Sequence, residues 1–169
     1  MTVALEEPAL SVKEALAAKP DGVLEMIAAQ CGVPLARVFD ELPEGAARRV
    51  PGDRFEELWQ DLARWGDVLL IVHTKDIVLE CKGPLPDGTS AQGYFNIHGD
   101  SPIGGHIKAD RCTAIYFIDR LFHGRRSCSV QFVNGEGDAM FKIFVPRDDK
   151  RELLADQLAR FEALKAKVS

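Results

Sequence analysis

The chain has 169 residues, 46% hydrophobic and 28% charged, which is ordinary for a folded domain long enough to bury a core of its own. The net charge is −5, with 7 basic against 12 acidic residues over 1–66 and 14 against 14 over 67–169. That balance excludes the basic footprint of a nucleic-acid binder. No stretch approaches the roughly 18 to 20 uninterrupted apolar residues of a membrane span, and the start, with Glu6, Glu7 and Pro8, is not that of a secretory leader.

The first third reads as helices. Ser11-x-x-Glu14 is a capping box ahead of a short helix that stops before Pro20-Asp21-Gly22. Val23 to Gln30 gives a second helix, ended by Cys31-Gly32. Pro34 to Glu41 gives a third, with proline at the favoured first turn and Pro43 closing it. Three short helices share the outline of a helix-turn-helix, but their acidity assigns them to packing. Asp53-x-x-Glu56 caps a fourth helix carrying Phe55, Leu58, Trp59 and Leu62 on one stripe, which ends near Trp65-Gly66.

From Asp67 the pattern changes to strands. Val68–Thr74 and Ile77–Lys82 are β-branched runs joined by Lys75-Asp76. A loop over Gly83–Gly88 follows, then strands at Gly93–His98, His106–Ala109, Ala114–Leu121, Cys128–Val133 and Ala139–Val145. A last helix runs from Asp149 to Val168, with Asp148-Asp149 at its N-terminus and Leu154, Leu158 and Phe161 on one side. Helices, about seven strands with short connections, then one helix predict an α+β fold with a large antiparallel β-sheet flanked by helices. The expected arrangement is a single domain over 1–169, with a helical part at 10–64, the sheet at 67–145 and the C-terminal helix at 149–168.

The usual catalytic signatures are absent: no G-x-S-x-G elbow, Walker loop or Rossmann glycine fingerprint occurs in its structural context. The four cysteines, Cys31, Cys81, Cys112 and Cys128, lie far apart without a C-x-x-C pair, as free thiols of a reducing cytoplasm do. The histidines stand out, all in the strand-rich part. His73 ends an apolar run, on the same strand face as Leu69 and Ile71. His106 lies beside Gly104-Gly105, where missing side chains admit a flat ligand. An apolar wall, an imidazole or phenolate for iron, and cations for carboxylates are what haem requires. Tyr116 is a further candidate axial ligand, and Arg120, Arg125 and Arg126 are candidate propionate contacts. Each of these residues also has an ordinary reading as a core or surface side chain, and spacing alone goes no further than an α+β domain.

Several segments carry a family resemblance. Trp65-Gly66-Asp67-Val68, followed by Val72-His73-Thr74-x-Asp76-Ile77, resembles a signature of the HutX/ChuX-type haem-utilisation proteins. Gly93-Tyr94-Phe95-Asn96 with Gly105-His106-Ile107-Lys108-Ala109, and Met140 to Phe144 with Arg147-Asp148-Asp149, are similar to two more. The resemblance spans nearly the whole chain in order. It implies a cytoplasmic haem-binding carrier, usually a homodimer, that passes haem to a haem-degrading enzyme. It also implies kinship with one half of the larger HemS/ChuS-type proteins, and places the family's haem-associated histidines on His73 and His106, with nothing carried to His98 or His123. The alternatives are a haem-degrading enzyme and a flavin-binding dimeric β-domain with Arg125 or Arg126 on a phosphate.

Overall fold

The computed structural model describes residues 9–168; most of the segment expected to lack a leader lies outside the described residues. Three short helices open the chain: α1 (Val12–Ala18), α2 (Leu24–Cys31) and α3 (Leu35–Asp40). The capping box is present at α1, where Ser11 and Glu14 satisfy each other's backbone N–H groups. Gly32 ends α2 in the left-handed conformation, which costs a glycine nothing. Then come β1 (Ala47–Pro51), a 3-10 turn (Gly52–Arg54) and α4 (Phe55–Leu62). The remaining elements are β2 (Asp67–His73), β3 (Val78–Pro84), β4 (Gly88–Ala91), β5 (Tyr94–Ile97), β6 (Gly105–Ile107), β7 (Cys112–Phe122), β8 (Arg125–Asn134), β9 (Ala139–Phe144) and α5 (Ala155–Lys167).

The strands form a six-stranded antiparallel sheet in the order β1-β7-β8-β9-β2-β3 and a separate three-stranded sheet, β4-β5-β6. The α+β class with a large antiparallel sheet and flanking helices is as expected; the strands over 88–107, expected in that sheet, form the separate small one, and four further details differ. The helical part contains β1, which ends in Pro51 and forms the edge of the large sheet by pairing with β7; proline is tolerated at an edge because one side of the strand donates nothing. The loop over 83–88 is shorter than expected, because β3 continues to Pro84 and β4 starts at Gly88. Asp53 makes no cap to α4; the 3-10 turn leads into the helix, and Arg54 pairs with Glu57. The last helix starts at Ala155 rather than Asp149, because Asp148 Oδ1 accepts from the N–H groups of Lys150 and Glu152 and folds that stretch into a turn.

The large sheet is covered on both faces where β7 and β8 lie. Ile115, Phe117, Val130, Phe132, Phe141 and Ile143 point to one face and pack with Phe55, Leu58, Trp59 and Leu62 of α4, with Phe95 and Ile97 of β5, and with Phe161 of α5. The intervening Ala114, Tyr116, Ile118 and Val133 point to the other and pack under α1–α3. Aromatic rings knit the first layer: Phe55 and Phe95 meet edge to face at 5.3 Å, Phe132 stacks on Phe141 at 4.5 Å, and Trp59 Nε1 donates to the Pro86 carbonyl at 2.9 Å. Cys112 and Cys128 are free thiols within this layer, and burial pushes them up to about 11 and about 12.

Trp59→Ala removes a fully buried indole and strands the Pro86 carbonyl. A loss of about 3–5 kcal/mol in urea unfolding is expected; a change below about 1 kcal/mol would mean that this layer does not depend on the indole.

Candidate functional site

Beyond β8, on the face that α1–α3 cover, the helices stop short. There His73 at the end of β2 and Ala139 at the start of β9 border a cleft of about 610 Å³, with Met26, Ala29, Val33 and Leu35 on its apolar side and Glu25, Lys75 and Asp138 on its polar side. The volume and the apolar lining suit an organic ligand. Lys142 pairs with Ile71 across the β9–β2 ladder, so Lys142, Ile71 and His73 share this face. Lys142 is buried, and burial pushes its ammonium down to about 8. Glu25, from α2, lies against Lys142 Nζ and 3.5 Å from His73 Nδ1. One carboxylate therefore anchors α2 to the sheet through a lysine and borders the histidine.

His106 stands elsewhere. Phe95 and Ile97 turn the small sheet's inner face to the core, whereas Asn96 and its register partner His106 face outward. Asn96 Nδ2 lies 3.2 Å from each of the carbonyls of Thr89, Ala91 and Tyr94, which fixes the amide orientation. Asn96 Oδ1 is then the acceptor at 2.6 Å from His106 Nδ1, so in the neutral ring Nδ1 carries the proton and Nε2 is the nitrogen with the lone pair. Around it lie Tyr94, its ring 5.9 Å from His106, and His98, at 5.4 Å, with Lys108 Nζ 4.3 Å above the Tyr94 ring. This is an exposed aromatic platform with a pre-oriented imidazole.

The two expected histidines thus lie on opposite sides of the large sheet, and one chain does not bring them to one ligand. Tyr116 is buried, 5.0 Å from the Phe39 ring, and donates to Asp40 at 2.9 Å; burial, with the Asp40 bond, pushes its phenol up to about 12. In this chain it acts as a core tyrosine held in its protonated form. Arg120 donates through Nη1 and Nη2 to the carbonyls of Gly22 and Pro20, tying the α1–α2 turn to β7. Arg126 is held by Asp119 at 2.8 Å and Glu162 at 2.9 Å, and those bonds push its guanidinium further up. Arg125 is exposed and 3.9 Å from Glu152. None of the three arginines is in the lining of the His73 cleft. Among the described residues, no group of three or more His, Cys, Asp and Glu could hold a metal ion, and no helix is long and apolar enough to cross a membrane.

Sequence reasoning missed Asn96, Glu25 and Lys142. Lys142, the one charge inside Met140–Phe144, carried a signal, since a lysine amid apolar strand residues implies a buried partner. Asn96 lay within a recognised signature, but its role needs the β5–β6 register. Glu25 gave no signal, being one acidic residue on an acidic helix.

Comparison with known proteins agrees with this architecture. Residues 48–164 match the family described as Haem utilisation ChuX/HutX. The intracellular heme transport protein HutX of Vibrio cholerae is 32% identical over 154 residues, covering 90% of this chain and 80% of that protein. A crystal structure from Agrobacterium tumefaciens superposes with a TM-score of 0.86 at 57% identity, over 94% of this chain and 90% of that one. The heme binding protein ChuX does so with a TM-score of 0.84 at 44% identity, over 93% and 98%. The chain belongs to the ChuX/HutX haem-utilisation family. Its fold recurs, at 11% identity, in ChuS, an E. coli heme oxygenase, with a TM-score of 0.74 over 97% of this chain and 50% of that one.

Removing Glu25 leaves the buried Lys142 ammonium without its carboxylate. Glu25→Ala is expected to cost about 3 kcal/mol at pH 7. A buried lysine pushed down to about 8, against an ordinary value near 10.5 in the unfolded chain, binds fewer protons folded than unfolded. Without the carboxylate the lysine falls below about 8, so it sheds its proton at lower pH in the variant than in the intact protein, and the deficit should shrink as pH rises through that value. Urea melts at pH 7 and pH 9 check this; a deficit that is the same at both would remove Lys142 from the explanation.

Proposed function

We propose that this chain is a cytoplasmic haem carrier that works as a homodimer and hands its cargo to a haem-degrading enzyme. The observation that carries the reading is His106: an imidazole on an exposed aromatic surface, its Nδ1–H bound by Asn96 and its Nε2 holding the lone pair. That is how proteins prepare a histidine to take a metal, since the outer hydrogen bond sets the tautomer and the ring angle. Exposure suits a carrier, whose ligand must leave for a recipient. Family membership supports the choice of cargo, as do the roles of two relatives: intracellular heme transport for HutX and heme binding for ChuX.

The homodimer is supported by two features. His73 and His106 lie on opposite sides of the sheet, so a single haem held by both would need them from different copies. Beside His73, Ile77, Val78 and Leu79 are more than half exposed on the edge hairpin β2–β3, an apolar strip that a second copy would cover. In such an arrangement His106 would supply the iron-binding nitrogen, the Tyr94 and His98 rings would offer an aromatic surface to the ligand, and Lys108, over the Tyr94 ring, would offer a cation to a propionate.

Haem added to the pure protein should give a ligand-shifted Soret band. His106→Ala should weaken binding at least tenfold, and Asn96→Ala by about tenfold through loss of the orienting bond. His73→Ala should weaken binding without unfolding the protein. A titration unchanged in His106→Ala and His73→Ala alike would refute these ligands. Sedimentation as a monomer at micromolar concentration, with and without haem, would refute the homodimer.

A further inference from the structure

A second cleft lies away from both histidines, where the tip of the β7–β8 hairpin meets the turn before α5. It has a volume of about 420 Å³, and its lining holds four arginines, Arg125, Arg126, Arg147 and Arg151, against one carboxylate, Glu152. In a chain of net charge −5 this concentration is local and does not reflect a generally basic surface.

The four guanidiniums are differently engaged. Arg126 is held by Asp119 and Glu162. Arg147 donates to the backbone carbonyls of Arg126 and Arg151, which positions it but leaves its charge uncompensated. Arg125 has only Glu152, at 3.9 Å, a separation beyond hydrogen bonding. Arg151 makes no ion pair with any described residue. It sits at φ 63, in the left-handed region, within the turn that the Asp148 side chain and the Arg151 N–H to Asp148 carbonyl bond hold in place. A bulky residue in that conformation is unfavourable, and the turn holds it at the cleft. Leu153 and Leu158 complete the lining with an apolar wall. Two fixed guanidiniums, two more with donors to spare and a greasy wall form a site for a compact multivalent oxyanion carried on a partly apolar body.

We propose that this cleft binds a small organic polyanion, a phosphate ester or a paired carboxylate, through Arg125, Arg147 and Arg151. The same chemistry is offered by a free metabolite and by the two propionates of haem, and competition separates them. The test is calorimetric titration of the full chain with inorganic pyrophosphate at 0.15 M salt. Sub-millimolar binding is expected, at least tenfold weaker in Arg151→Gln and weaker still in Arg125→Gln/Arg151→Gln. Both side chains are exposed, so these variants should keep the wild-type Tm and an unchanged near-ultraviolet spectrum. Pyrophosphate displaced by added haem would assign the anions to propionates; pyrophosphate retained would assign them to a separate metabolite. No heat at millimolar pyrophosphate, or equal affinity in the folded double variant, overturns the proposal. Absent heat or equal affinity leaves His106 to its own Soret titration, whereas displacement by haem would place the propionates in this cleft and take the macrocycle away from His106.

Discussion

The central strands β7, β8 and β9 are two-sided, and everything functional in this molecule follows from how each side is covered. Period-two alternation commits Phe117, Phe132 and Ile143 to the layer of α4, α5 and the small sheet. It commits Tyr116 and Val133 to the helical layer. A slip of one residue would exchange the two sets, burying Lys142 among the aromatics. The register is therefore strongly fixed, and with it the positions of the side chains that can meet a ligand.

Coverage is uneven, which is where the sites arise. Helices α1–α3 cover β1, β7 and β8, and towards β9 and β2 they leave a cleft that Glu25, against Lys142, borders. On the other side, the small sheet is itself the cover, and its outward face carries His106 and Asn96. The arginine-lined cleft has the same kind of origin, at the point where the β7–β8 hairpin runs past the turn before α5. The two clefts lie at borders between a covering element and the sheet, whereas the His106 platform lies on the outer face of the cover itself.

Much of this was legible in the sequence because it depends on local rules. The capping box at Ser11, the Gly32 stop and the stripe of Phe55, Leu58, Trp59 and Leu62 are short-range signals, and the structure contains all three. Strand β1 was not legible: Ala-Arg-Arg-Val-Pro has weak strand character, and only pairing with β7 makes it one. The start of α5 was misplaced because Asp148 serves equally well as a helix cap or a turn former, and tertiary context decides. At the candidate site, His73 and His106 were visible as residues. Their separation across the sheet was not, because the face a strand presents depends on which sheet it joins. Nor could Tyr116 be told from a ligand by pattern, since its bond to Asp40 spans 76 positions of sequence.

The two interior cysteines have a consequence for chemistry near iron. A thiol reacts with peroxide, or captures a soft metal, as its anion. Cys112 and Cys128, held far on the protonated side and shut away from solvent, are poor substrates for either event at neutral pH. A protein that meets redox-active porphyrin can thus keep sulfur in its interior without that sulfur becoming a sink for oxidants or a rival for the metal.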